Sequence, residues 1–341
     1  MLGTDIAIDL GTSAVKIYLD GKGIILNEPA VVAVNLETDQ VVALGHEAYA
    51  MVGRTSDKIQ VTHPLCNGVI SNFDLAQYLI SYYLKKIGDS KFFMPRVVVS
   101  VPCQITEVEK RAVVDAISAA GVRKICLIEE PVAAALGAGV DIAKPYGTLV
   151  VDVGGGTTDM AVLSLSGIAI SRSLKIAGNV FDEAIVKFIR RKYNLLIGQR
   201  MAEEAKNAIG CVYPKKDETK HRVKGRNAMT GLPQYADISC DEMLEALIEP
   251  AMQIVRTLQE MLEKTPPELM SDVYSDGIIL TGGSSRLFGL DTLISKKVKM
   301  PVRIAEDPDI CVALGAGKAI KFIDDIENKA YGVLNPLSAA Y

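Results

Sequence analysis

Two short stretches of the chain share one chemical grammar. In the first, Ile6, Ala7 and Ile8 lead into Asp9, Leu10, Gly11, Thr12 and Ser13, and Val15-Lys16-Ile17-Tyr18 returns. In the second, Leu149, Val150 and Val151 lead into Asp152, Val153, Gly154, Gly155, Gly156, Thr157, Thr158 and Asp159, and Met160–Leu163 returns. Each reads as a buried strand, a Gly turn and an antiparallel strand. Glycines lack Cβ, so backbone N–H groups can close on a phosphate, while Ser and Thr hydroxyls add donors. An Asp at a strand end suits Mg²⁺ held through its water shell. Either stretch alone fits an ordinary hairpin with a Gly-rich turn. Their repetition favours two similar lobes, each offering one phosphate loop to a nucleotide between them. No G-x-x-x-x-G-K-[ST] occurs, and no G-x-G-x-x-G opens a helix after a strand, so neither a Walker loop nor a dinucleotide fingerprint is present.

Two further features face the same chemistry. Lys124–Ile128 reads as a buried strand that delivers Glu129, Glu130 and Pro131 to the start of an Ala-rich helix. Pro131 suits a first helical turn. Glu130 then lies at the strand-to-helix edge where open α/β sheets place ligands. Two roles fit it there: complementing the helix dipole, or orienting the water that attacks a γ-phosphate. Gly277–Thr281 is a third strand entering a Gly turn, Gly282-Gly283-Ser284-Ser285, where bare backbone could lie flat against an adenine ring.

The elements that must position these residues alternate strand and helix. Residues 24–52 look like a small strand-rich insert. Ser71-Asn72-Phe73-Asp74 resembles a capping box opening a helix through about Ile87, with Gly88 as its stop. Arg96–Val101 suits a central strand. Thr106-Glu107-Val108-Glu109 is a second capping box, and Val108, Ala112, Ala116 and Ala119 are expected to form the buried face of its helix. Gly178–Asp182 opens a helix to about Tyr193. Glu203 and Lys206 share a helix face, which by itself fits a surface ion pair. Residues 211–235 read as polar and irregular, a solvated basic run. Ser239-Cys240-Asp241-Glu242 caps a long helix to about Lys264, with Pro250 as an expected kink. A last helix is expected from Pro308, and the tail 331–341 shows no periodicity.

At 341 residues, 49% hydrophobic and 23% charged, the chain can build two cored domains. A net charge of −4 gives no reason to expect a nucleic-acid partner. Six scattered cysteines without a C-x-x-C pair suit reduced thiols, and three distant histidines exclude the usual zinc patterns. The first strand starts almost at Met1, which leaves no expected room for a signal peptide, and no 18-residue apolar run is present.

In this order and spacing, the three turns resemble the actin/Hsp70/sugar-kinase ATPase superfamily. Several stretches narrow the resemblance to the rod-shape bacterial actins of the MreB/Mbl type: Ile6–Thr12, Gly23–Pro29, Met51–Thr55, Leu127–Pro131, Val151–Asp159, Leu195–Gly198, Thr265–Leu269 and Leu280–Gly283. It covers roughly residues 5–320. It implies an α/β actin-like fold with residues 1–140 plus 319–341 in one lobe, carrying an insert at about 30–70. Residues 141–318 make the other, with an insert at about 185–243. It further implies ATP with Mg²⁺ at Asp9 and Asp152, and phosphate donors from Gly11, Thr12, Ser13, Gly154, Gly155, Gly156 and Thr157. Lys16 would neutralise phosphate charge. Glu130 would orient the hydrolytic water with Thr158. Glu203 and Lys206 would meet ribose and base, with Gly282, Gly283 and Ser284 beneath the adenine. Ser284 stands where a third glycine is usual, and Asn67 where an aspartate is.

The implied function is a filament-forming ATPase that acts as a cell-shape scaffold, cytoplasmic and peripheral at the inner face of the cell membrane. Its partners would be other copies of itself, the membrane and membrane-embedded cell-shape proteins. The apolar Phe92, Phe93 and Met94, flanked by Lys85, Lys86, Lys91 and Arg96, suit either insertion among anionic headgroups or packing onto the first lobe. The superfamily also contains small-molecule kinases and Hsp70-type chaperones. A kinase needs a second substrate pocket with a catalytic Asp, and a chaperone needs a peptide-binding domain; neither has a candidate here.

Overall fold

Ile6–Leu10 is a strand buried along its whole length, apolar at every position but Asp9. The computed structural model describes residues 5–87, 95–216, 218–325 and 331–333. The first part of the chain runs β1 (Ile6–Leu10), β2 (Ala14–Leu19), β3 (Gly23–Pro29), β4 (Val32–Asn35), β5 (Gln40–Leu44), α1 (Gly45–Met51), β6 (Ile59–Thr62), β7 (Leu65–Cys66) and β8 (Val69–Ile70). It continues with α2 (Phe73–Ile87), β9 (Arg96–Val101), α3 (Glu107–Ser118), β10 (Lys124–Glu129) and α4 (Glu130–Gly137). The second part runs β11 (Thr148–Val153), β12 (Thr158–Ser164), β13 (Gly167–Leu174), α5 (Gly178–Tyr193), β14 (Leu195–Leu196), α6 (Gln199–Ile209), β15 (Lys220–Asn227) and β16 (Pro233–Ser239). It ends with α7 (Cys240–Glu263), α8 (Pro267–Asp276), β17 (Ile278–Thr281), α9 (Leu290–Val298), β18 (Val302–Ile304), α10 (Cys311–Ala319) and β19 (Tyr331–Val333).

The strands form two main sheets of related design. One has the order β19-β10-β9-β1-β2-β3, the other β13-β12-β11-β17-β18. In each, an antiparallel meander is extended by parallel strands from its first member: β9 beside β1, and β17 beside β11. Alternate residues serve opposite faces. Ile6, Ile8 and Leu10 enter the first lobe's core, and Leu149, Val151 and Val153 the second's. Ala7 and Val150 instead join a third cluster between the lobes, built on α4 and α10.

That middle layer crosses over. α4 follows the first sheet in sequence but packs on β11 and β12, whereas α10 follows the second sheet and packs on β1, β2 and β9. Placing 311–318 with the second lobe therefore separates α10 from the sheet it covers. The two helices touch backbone to backbone: a Cβ on Gly315 would lie 1.7 Å from the Ala133 carbonyl oxygen, and one on Gly137 1.9 Å from that of Cys311.

Local expectations meet mixed outcomes. Thr106/Glu109 and Ser239/Glu242 form reciprocal capping boxes. At α2 the cap is Asn72, whose Oδ1 accepts the Leu75 N–H at 3.1 Å; Ser71 donates to the carbonyl of Pro64 instead. The buried face of α3 is Val113, Val114, Ala116 and Ile117, while Val108 is 80% exposed. It sits in the first turn, before the buried stripe begins at Val113. Helix α7 continues through Pro250. The last helix starts at Cys311, after a 3₁₀ turn at Pro308–Ile310. Residues 211–235 are not irregular throughout. Lys220, Arg222, Lys224 and Arg226 alternate along β15, all exposed, while Val223 points inward, and Arg222 pairs with Asp237 across to β16 at 2.8 Å.

Candidate nucleotide site

One cavity of about 820 Å³ lies between the lobes. Asp9, Gly11, Thr12, Ser13, Lys16, Glu130, Asp152, Gly154, Gly155, Gly156, Thr157, Glu203, Lys206, Gly282, Gly283 and Ser284 all line it. Residues remote in sequence are gathered here by the ends of β1, β10, β11 and β17. Thr158 is not among them. Fully buried in β12, it donates its hydroxyl to the Ile176 carbonyl at 2.6 Å, and the hydroxyl residue facing the cavity is its neighbour Thr157. Phe92, Phe93 and Met94 lie outside the described residues.

The two hairpins meet tip to tip. A Cβ on Gly155 would fall 1.9 Å from the Ser13 hydroxyl, and one on Gly156 2.4 Å from that of Thr12. Glycine is therefore required by the facing loop as well as by any phosphate. A third, smaller hairpin seals this junction. Asn67 and Gly68 form the two-residue turn between β7 and β8, with φ of 49° and 77°, the pattern for which Asn-Gly is the favoured pair. The Gly68 N–H donates to the Thr12 hydroxyl at 2.8 Å. This left-handed turn position gives Asn67 a physical role that its sequence context alone does not reveal.

The charges are distributed unequally. Asp9 faces Lys16 across β1 and β2 and accepts from its Nζ at 3.0 Å. Burial pulls the Lys16 ammonium down, but Asp9, with Asp152 and Asp309 beyond it, outweighs this and raises it. Asp152 faces Asp159 across β11 and β12 and accepts the Thr281 hydroxyl at 2.7 Å. Burial pushes Asp152 up to about 7 against that hydrogen bond, and Asp159 and Asp9 add to the rise. Asp159, wholly buried, accepts the Cys103 N–H at 3.1 Å. Glu130 is held well above the usual carboxylate range, first by burial and then by Asp159, Asp152 and Asp9.

Among the described residues no three His, Cys, Asp or Glu side chains converge as a direct metal site. Two buried carboxylates from opposite walls, Asp9 already paired with Lys16 and Asp152 held by a hydroxyl alone, fit Mg²⁺ that keeps its waters and is bound chiefly by phosphate.

At the other end, Lys206 does not pair with Glu203. Its Nζ lies 2.8 Å from Asp182 and donates to the Gly178 carbonyl at 3.1 Å, while Glu203 accepts from Tyr49 of the opposite lobe. Gly282 has φ of 81°, and its Cβ would meet the Val153 carbonyl at 2.3 Å, so β11 dictates this glycine. Gly283 has only Asp309 Cβ nearby, at 3.7 Å, which leaves its cavity face open. Ser284 donates to the Gly154 carbonyl at 2.7 Å, tying the base-side turn to the phosphate loop. Sequence reasoning missed Asp159, Asp182, Tyr49 and the Asn67-Gly68 tip. Only the last left a local signal, its Asn-Gly pair.

The signature described as MreB/Mbl protein matches residues 3–328. The chain is 45% identical to the cell shape-determining protein Mbl of Bacillus cereus, over 97% of this chain and 99% of that one. It is 44% identical to the cell shape-determining protein MreB of Escherichia coli K12, over 95% of each. The structure of MreB5 of Spiroplasma citri bound to AMPPNP superposes with a TM-score of 0.92 at 37% identity, covering 96% of this chain and 99% of that one. With the shared fold, the paired hairpins and these matches along nearly its whole length, the chain belongs to the MreB/Mbl family of actin-like proteins.

Proposed function

We propose that this protein is a nucleotide-dependent, filament-forming scaffold for cell shape that binds Mg-ATP between its lobes and hydrolyses it slowly. The observation that carries the reading is the meeting of two Asp-Gly-Thr hairpins from opposite lobes in one cavity, with Glu130 at its head. The AMPPNP in the Spiroplasma relative and the cell-shape names of the others support it. Asp9 and Asp152 would hold Mg²⁺ through water, and the ion would supply charge neutralisation for the phosphates. Backbone N–H groups at 11–13 and 155–157 would donate to the phosphate oxygens, the Gly154 N–H being taken by the Thr157 carbonyl at 2.9 Å. Glu130, buried and facing three other carboxylates, loses its proton more easily once positive charge enters the cavity; as a carboxylate it accepts the proton of the attacking water. Thr157 would help to orient that water.

The test is high-speed sedimentation with and without ATP, alongside phosphate release. Wild type should pellet as nucleotide-dependent polymer, and turnover should not rise when sugars are added. Glu130→Ala should lower phosphate release about 10²–10⁴-fold while ATP still binds. Wild-type turnover in that variant would remove Glu130 from the mechanism.

We further propose peripheral attachment to the inner membrane face through Phe92, Phe93 and Met94. No helix among the described residues is long and apolar enough to cross a membrane. Lys85 and Lys86 are exposed at the end of α2, so they are available to headgroups, whereas Arg96 is engaged by Asp5 at 2.8 Å. Burying two Phe side chains contributes only about 1.5–3 kcal/mol each, so attachment relies on many subunits acting together. Polymer of the Phe92→Ser/Phe93→Ser variant should fail to pellet with anionic vesicles that carry down wild type; equal pelleting would locate the contact elsewhere.

A further inference from the structure

At Glu203, which lines the cavity, a hydrogen bond joins residues of different lobes. Tyr49, on α1 of the first lobe's insert, donates its hydroxyl to Glu203 Oε2, on α6 of the second lobe's insert. The Tyr49 end is built on a fixed support. The helix α1 is held to its sheet by Ala48, fully buried, and by the Gly45 N–H on the Val31 carbonyl at 3.0 Å. Tyr49 itself packs on the small core around Val31 and Ala33. From the other side the Arg200 guanidinium lies 5.6 Å from the centre of the phenol ring, and Arg200 is in turn bonded to Glu204 at 3.1 Å. The ring is therefore clamped, and its hydroxyl has one place to go.

Glu203 is a long side chain with several rotatable bonds, and a free one would lose rotamer entropy on meeting a ligand. Tyr49 removes much of that freedom in advance. It occupies Oε2, while Oε1 takes no protein donor among the described residues and Glu203 lines the cavity. A carboxylate has about four acceptor positions, so one oxygen pinned by a phenol still leaves room for two adjacent hydroxyl donors. Burial and the neighbouring carboxylate hold the Tyr49 phenol up, so it stays a donor through the physiological range.

We propose that Tyr49 is a positioning residue for ribose recognition, holding the Glu203 carboxylate from across the cleft in the orientation that accepts the sugar hydroxyls. This rests on the reading that Glu203 meets the ribose. It adds that sugar recognition is assembled from both lobes, since the acceptor comes from one and its orienting donor from the other.

The experiment compares equilibrium binding of Mg-ATP, Mg-2′-deoxy-ATP and Mg-3′-deoxy-ATP to wild type, Tyr49→Phe, Glu203→Ala and the double variant. Wild type should prefer ATP over at least one deoxy analogue by about tenfold, the value of a hydrogen bond to a charged group. Tyr49→Phe keeps the ring and its Arg200 stack and removes only the donor. It should cut that preference to about threefold or less, mainly by weakening ATP, with the deoxy analogue little changed. Glu203→Ala should abolish the preference, and adding Tyr49→Phe to it should change nothing more. A wild-type preference retained in Tyr49→Phe overturns the inference and leaves the Glu203 reading standing. Equal weakening of ATP and both deoxy analogues also overturns it, because Tyr49 would then serve lobe contact alone. Equal affinities for all three nucleotides in wild type overturn the Glu203 reading, and the inference with it.

Discussion

The two phosphate hairpins differ in charge at one cross-strand position. In the first lobe the residue opposite Asp9 is Lys16; in the second the residue opposite Asp152 is Asp159. The first hairpin thus neutralises its own carboxylate, with side chains only 13% and 8% exposed in the ion pair. The second sets two buried acids side by side and leans on Thr281 and Cys103 for partial relief. Similar backbones therefore carry opposite electrostatic tasks. One wall is a finished ion pair, and the other is short of a positive charge. A cation arriving with a nucleotide relieves the second wall far more than the first.

The sharpest way to break this contrast is to truncate each hairpin's acid in the absence of ligand. Asp9→Ala leaves Lys16 buried without its main partner, and should lower unfolding free energy by about 3–5 kcal/mol. Asp159→Asn keeps an acceptor for the Cys103 N–H and removes a like charge, so it should be neutral or stabilising near pH 7. Denaturant unfolding should show a large loss for Asp9→Ala and none for Asp159→Asn; a loss of similar size in both would mean that the walls are electrostatically alike.

A smaller effect concerns pH. The folded chain holds a proton on Asp152 up to about 7, whereas an unfolded aspartate releases it near 3.8. The folded state binds the extra proton in that window, so this contribution to stability is present below 3.8 and is lost as pH rises through about 7. The slope approaches about 1.4 kcal/mol per pH unit for one such group. Glu130 acts in the same direction, so Asp152→Asn should reduce the slope in thermal unfolding without abolishing it. An unchanged slope would move the titration away from the second hairpin. Smallest of all is Ser284→Ala, which removes the bond to the Gly154 carbonyl and should weaken Mg-ATP by about 1 kcal/mol, a few-fold. No change in affinity would show that the base-side turn and the phosphate loop are held together without it.

Much of this site was readable because its signals are local. An apolar run ending in Asp, Gly and Thr needs no partner to be recognised, and two capping boxes announce their helices within four residues. What stayed hidden depends on pairing. Asp159 looks like the end of a motif until the register of β11 and β12 sets it opposite Asp152. The edge strand Tyr331–Val333 exists only through its parallel partner Ile125–Leu127, just over two hundred residues earlier, so no periodicity in the tail could reveal it. Thr157 and Thr158 differ by one position in a strand entry, where a single step turns a side chain to the opposite face. The alternation of β15 was within reach of the sequence, but its dense positive charge hid a period of two.

The joint between α4 and α10 sets a dimension for everything above it. With backbone against backbone at Gly315 and Ala133, the helices are nearly as close as two helices can be, and no large side chain determines their separation. The gap between the lobes is accordingly gauged by the thickness of the polypeptide itself, a length that drift among Leu, Ile and Val elsewhere in the core does not alter. One added methyl at Gly315 acts as a shim. It wedges the helix lying on one sheet away from the helix lying on the other, and the tips that touch at Gly155 and Ser13 inherit the displacement.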